Sequence, residues 1–203
     1  MTDGLDVEAL IREALAAQAL ERAATLTIDH YGPELLGFTT HLLHDSEAGA
    51  EAFAAFSEVF WRSLPRFEGR CSMRSWVYKL ARHAALDHGR RERRKELSAC
   101  GATPSRLSAA VERVRTSTAV YQRTDVKDRF AQLRRQLSEE EQTLLMLRVD
   151  RELSWRELAE VLFDRHEHSL TDSHLASEAA RLRKRYQLLK QRIRKLLEEQ
   201  GAL

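Results

Sequence analysis

Seven apolar residues close to the C-terminus, Leu175, Ala179, Leu182, Tyr186, Leu189, Ile193 and Leu196, follow one another in alternating steps of four and three. A series of that kind falls on one side of an α-helix, and the alternation makes it a heptad seam. From Ser173 to Gln200 the helix would be roughly 40 Å long at about 1.5 Å per residue, with Gly201 ending it. Its other faces are cationic, carrying Arg181, Arg183, Lys184, Arg185, Lys190, Arg192, Arg194 and Lys195. The seam must be covered. Either a second copy does so in a coiled coil, leaving the bases solvated, or earlier helices of the same chain do.

Two candidates for the second arrangement precede it. Ser138 followed by Glu141, and Ser154 followed by Glu157, are capping boxes, opening LLMLRV and SWRELAEVL respectively. In each, the hydroxyl can accept from the third helical N–H while the glutamate reaches back to the cap. Two short helices that need the seam as their own core, followed by a basic helix, suggest a helix-turn-helix whose last helix enters a major groove.

The rest of the chain also reads as helices. It has only 3 Pro and 8 Gly among 203 residues, few β-branched runs, and 43% apolar residues, enough for one packed core or two small ones. An Ala-rich amphipathic pattern over residues 5–28 has no clear role. Residues 31–64 hold two more helical patterns, the second from about Ser46 to Ser63, with Ala52, Phe53, Phe56 and Phe60 at helical spacing and Pro65 as the stop. Ser72 can then cap a helix running to about Lys95. ACGATPSRLS reads as a linker. The expected organisation is all-α: an N-terminal helical extension over 1–28, a first domain over 29–95, a flexible linker over 96–126, and a second domain over 127–203.

Cys71 and Cys100 sit in no metal-ligand or CxxC spacing, which fits a reduced interior. The N-terminus lacks a signal pattern, and no apolar run approaches the roughly 18 residues of a membrane helix. A cytoplasmic protein with no membrane insertion is expected. The net charge is only +2, but residues 61–95 and 181–203 are basic and each block follows an acidic one. Two separate anionic contacts are the natural reading.

Within residues 72–95, Met73, Trp76, Val77, Leu80 and Ala84 recur as a buried stripe, leaving Arg74, Tyr78, Lys79, Arg82 and His83 toward solvent. An outward aromatic among bases can stack on an unpaired base while the cations neutralise phosphate; a core helix with a wet charged face fits the same pattern. The GRRERRK tail adds guanidiniums suited to phosphate. His166, His168 and His174 lack an evident fourth ligand, so no metal is expected and a solvated loop is the simpler reading. No nucleophile elbow, phosphate loop or paired-carboxylate motif occurs. Neither catalysis nor a cofactor is expected.

LPRFEGRCSMRSWVYKLARHAALDHGRR resembles region 2 of bacterial extracytoplasmic-function sigma factors, which often read like LPxFxGxSSFRTWLYxIARNxALDxxRR. The matches are Leu64, Pro65, Phe67, Gly69, Ser72, Arg74, Trp76, Tyr78, Ala81, Arg82, Ala85, Leu86, Asp87, Arg90 and Arg91. LSEEEQTLLMLRVDRELSWRELAEVL is similar to the start of their region 4, and RLRKRYQLLKQRIRKLL to its end. The resemblance implies a sigma factor that binds core RNA polymerase and promoter DNA, region 2 melting the promoter-proximal element and region 4 reading the upstream element. It also admits an anti-sigma factor as a partner.

By position, the resemblance assigns single-strand contacts to Arg70, Ser72, Tyr78, Lys79, Arg82 and His83, and phosphate contacts to Arg90, Arg91, Arg93, Arg94 and Lys95. Upstream-element contacts fall to Arg181, Arg183, Lys184, Arg185, Gln187 and Lys190, and polymerase contacts to Glu51, Ala54, Ala55 and Glu58. His83 stands where the family often has Asn, Ala54 and Ala55 where it has a Gln-Glu pair, and the turn after Leu162 is about ten residues longer than the family's. Two other function classes fit the residues alone: a regulator dimerising through the seam, and a helical interaction protein.

Overall fold

The structure, a computed structural model, describes residues 3–94, 136–163 and 171–199, and only the backbone of 3–6, 91–94 and 199 among these. The chain divides into two compact units, 1–122 and 123–203. The expected linker, residues 96–126, lies outside the described residues, as do Lys95, His166, His168 and Gly201.

The first unit contains α1 (Asp3–Ala16), α2 (Leu20–Leu43), α3 (Ser46–Ser63) and α4 (Met73–Arg94), with a 3-10 turn Leu64–Arg66 ahead of the loop into α4. α2 is central and packs against each of the other three. The single helix expected over residues 5–28 is corrected: it breaks at Gln18. There the chain takes a left-handed φ of 57°, Ala19 N–H donates to Ala14 O at 2.8 Å, and Gln18 N–H donates to Leu15 O at 3.0 Å. This is a helix-terminating Schellman motif built without glycine. α2 then runs across residue 28 and through Pro33.

α3 has the bounds expected for it, with Asp45 as the cap accepting from Ala48 N–H at 2.7 Å. α2 and α3 cross closely at Gly49. A Cβ there would lie 2.6 Å from the Thr40 backbone, and the Thr39 hydroxyl donates to Gly49 O at 2.8 Å. The core is aromatic. Phe38, Phe53, Phe56 and Phe60 are fully buried with Ile11, Ile28 and Leu35, and the Phe56 and Phe60 rings stack 5.8 Å apart. Each such side chain contributes about 1.5–3 kcal/mol by leaving water.

The second unit contains α5 (Glu139–Leu145), a π-helical turn Met146–Asp150, α6 (Trp155–Leu162) and α7 (Asp172–Glu199). Both capping boxes form as the spacing predicts. α7 begins at Asp172, where the Thr171 hydroxyl accepts from His174 N–H at 3.3 Å. Leu175, Leu182 and Leu189 of the seam are buried with Leu144, Leu147, Leu158 and Val161. The other seam residues, Ala179, Tyr186, Ile193 and Leu196, are half-buried. The unit therefore uses the seam as its own core.

Candidate nucleic-acid interface

The loop 67–72 enters α4 through Ser72, whose hydroxyl accepts from Ser75 N–H at 3.0 Å and donates to the Ser75 hydroxyl at 3.0 Å. Ser72 is thus engaged as the helix cap. Gly69 takes a φ of 68°, and the space a Cβ would occupy is empty to 4 Å, leaving the loop tip open. Arg70 pairs with Glu68 at 2.5 Å, both well exposed. Phe67 lies against Trp76 with ring centroids 4.7 Å apart, and both are half-buried.

Tyr78 corrects the sequence expectation. It is fully buried, its ring 5.3 Å from Phe38 and its hydroxyl donating to Glu34 at 2.8 Å. The reason is geometric. α4 packs against α1, α2 and α3, so its buried arc is wider than one stripe and takes in Tyr78, Ala81 and Ala85 beside Met73 and Val77. Trp76, Leu80 and Ala84 lie at the arc's margin, half-buried. Arg74 turns the same way as Tyr78, its guanidinium 3.1 Å from Glu34. Lys79, Arg82 and His83 share the remaining, half-buried face, being neighbours at helical spacings of three and four. Exposed Arg90 follows two turns on, 3.3 Å from Asp87. The side chains of Arg91, Arg93 and Arg94 lie outside the described residues.

On α3, Glu51, Ala54, Ala55 and Glu58 fall on one face, opposite the phenylalanines. Glu51 lies 3.8 Å from His88 of α4.

In the second unit, Arg181, Arg183, Lys184, Arg185, Gln187 and Lys190 are all exposed on α7. Acids and ring faces hold several of them. Arg181 pairs with Glu178 at 3.0 Å, Arg185 with Glu140, and the Lys190 ammonium sits 5.5 Å from the Tyr186 ring centroid. Arg192 donates to both oxygens of Glu141 at 2.8 and 3.0 Å and to Gln136 O at 3.1 Å. Partial burial alone would raise the Glu141 carboxyl. The Ser138 amide, the Arg192 guanidinium and the Ser138 hydroxyl outweigh it and hold that carboxyl below its ordinary range.

Sequence reasoning missed a cluster around Trp155. Its ring has the Arg148 guanidinium at 4.8 Å, the Arg183 guanidinium at 5.7 Å and the Tyr186 ring edge-on at 5.5 Å. It brings α6, α7 and the π turn together, and the only local signal is the SWRE box that opens α6. Arg156 of that box joins Glu160 at 3.3 Å to Asp172 at 2.7 Å, bracing the start of α7. Among the described residues no group of three or more His, Cys, Asp or Glu could hold a metal. No described helix is long and apolar enough to cross a membrane.

A basic outer face on a helical bundle, followed by a second helical unit with a cationic terminal helix, defines a nucleic-acid-binding class. Residues 27–95 match the model of sigma-70 region 2. The chain is also 28% identical over 147 residues to the RNA polymerase sigma-H factor of Pseudomonas aeruginosa, covering 70% of this chain and 76% of that protein. No solved structure matches. The region 2 match and the sigma-H relative together support an RNA polymerase sigma factor of the sigma-70 family, acting in transcription initiation.

Proposed function

We propose that the chain is a sigma factor of the extracytoplasmic-function type, with its DNA contacts divided between the two units. The first unit docks on core RNA polymerase through the α3 face of Glu51, Ala54, Ala55 and Glu58. It holds the non-template strand of the promoter-proximal element with the loop 67–72, Arg70 included, and the α4 face of Lys79, Arg82 and His83. Phe67 against Trp76 supplies the aromatic surface that buried Tyr78 does not, and an extruded base needs such a surface. Arg90, Arg91, Arg93, Arg94 and Lys95 follow phosphates. The second unit acts as region 4, α7 reading the upstream duplex through Arg181, Arg183, Lys184, Arg185, Gln187 and Lys190. The protein works in the cytoplasm without chemistry of its own. An anti-sigma factor is a further partner, competing with polymerase for the same α3 face.

The match of sigma-70 region 2 to the residues that present this cationic face carries the reading. Burial of Leu175, Leu182 and Leu189 within one copy counts against a regulator that dimerises through the same seam. The test is transcription by core polymerase with this protein added, no inhibitory partner present. One promoter-specific start is expected; absence of both core binding and a defined start would sink the proposal.

A further inference from the structure

α1 precedes the residues matched to region 2, yet its Glu8 carboxylate accepts two backbone hydrogen bonds from the first turn of α4. Met73 N–H donates to Oε2 at 3.1 Å and Arg74 N–H to Oε1 at 2.8 Å. The first N–H groups of any helix lack intrahelical acceptors and form its positive end, so a carboxylate there is favourable. Here it comes from another helix, 65 residues earlier in the chain. The Tyr31 hydroxyl of α2 donates to the same Oε1 at 3.0 Å. Burial, and then the facing Glu8 charge, push that phenol above its ordinary range, so it keeps the proton it donates. One residue pair later the same device recurs, with Glu34 taking the Arg74 guanidinium and the Tyr78 hydroxyl.

The loop 67–72 runs directly into this turn, and Trp76, on the next turn, is the ring against which Phe67 lies. Whatever fixes Met73 and Arg74 fixes where the loop ends. Glu8 bonds to α2 and α4, while the proposed polymerase face is on α3, so the two roles are separable.

We infer that Glu8 is a positioning residue for promoter opening: it clamps the first turn of α4 from outside and thereby sets the loop that holds the single strand. The inference rests on the single-strand role proposed for that loop. Without Glu8, two helix-end N–H groups and a phenol lose their acceptor together. The first turn of α4 then frays, while the phenylalanine core persists.

The experiment compares full-length Glu8→Ala, Glu8→Gln and Glu13→Ala proteins in holoenzyme with core polymerase, well below each melting temperature. Glu13 is an exposed acid on the same helix. Binding to a single-stranded non-template oligonucleotide and to core is measured, with amide hydrogen exchange on the free proteins. Glu8→Ala should lower single-strand affinity about tenfold, the order of one lost hydrogen bond to a charged group, with core affinity held within about twofold. Glu8→Gln, which keeps a carbonyl acceptor, should fall between, and Glu13→Ala should match wild type. Met73 and Arg74 amides should lose protection in Glu8→Ala while Phe53 to Phe60 keep theirs. Unchanged Met73 and Arg74 protection would overturn the inference, as would lost protection with full single-strand affinity, or a parallel loss of core affinity. If wild-type holoenzyme fails to hold the oligonucleotide, the loop's DNA role falls and the inference with it. The exchange data then distinguish that failure from a Glu8 that fixes nothing.

Discussion

Arg74 and Tyr78 lie on the bundle side of α4, where both reach Glu34, whereas Arg183, Arg185 and Arg192 stay at the surface of α7 against Trp155, Glu140 and Glu141. The two helices have similar basic sequences and opposite fates. α4 is packed by three other helices, so its central polar residues must either be satisfied inside or not exist. A carboxylate partly withdrawn from water is costly unless donors meet it, and Glu34, its side chain about a third exposed, meets Arg74 and Tyr78. α7 has one packed side, and its paired cations stay about half exposed or more, against about a quarter for Arg74. Such pairs are worth little and are screened by salt, so phosphates can displace them. The first unit therefore uses its arginine and tyrosine as frame, and the second keeps its arginines exchangeable.

The largest expected effect tests whether the units behave as separately as this contrast requires. Phe56→Ala removes a ring stacked on Phe60 in a fully buried core and should cost about 3–5 kcal/mol of first-unit stability. Hydrogen exchange across the whole chain would show protection lost in α2 to α4 and kept in α6 and α7. Equal loss in both units would break the comparison. Tyr78→Phe comes next. It removes one of the two donors to Glu34 and should cost about 1–3 kcal/mol in denaturant unfolding, with single-strand affinity of the folded protein unchanged. Intact stability with weakened single-strand binding would return Tyr78 to the surface role its sequence position suggested.

That error shows what local pattern carries. α3, the two capping boxes and the seam were legible because each is specified by residues within a turn or two of one another. Tyr78 was not, because a stripe of apolar residues reports one packed side, and α4 has three. The break at Gln18 was hidden by the absence of glycine at a left-handed position, and α2 continues across residue 28 and through Pro33. The site divides in the same way. The cationic faces of α4 and α7 could be read from spacing. Glu8 under Met73, and Trp155 between Arg148 and Arg183, could not, since their partners come from other elements.

A smaller effect lies within the second unit. The Glu141 carboxyl is held below its ordinary range in the folded chain. Its stabilisation is therefore complete above the unfolded value of about 4.3 and fades as pH falls through the lower folded value. Protonation would loosen both the Ser138 cap and the Arg192 bridge, at under about 1 kcal/mol for a pair this open. Exchange or chemical-shift titration of α5 should show fraying in that acid window, and Glu141→Gln should abolish the pH dependence. A titrating α5 in the Glu141→Gln protein would place the effect elsewhere.

The smallest effect separates the two uses of Arg183, whose guanidinium lies over Trp155 and which is proposed to meet DNA. Arg183→Ala should weaken upstream-duplex binding a few-fold and make the log–log salt dependence shallower by about 0.9, the slope of one phosphate contact. Arg183→Lys keeps the charge but loses the planar stack, so it should keep the slope and lose only the part of affinity that ring contact preorganises. If Arg183→Ala leaves the slope unchanged, Arg183 belongs to the frame, and the second unit resembles the first more closely than the contrast allows.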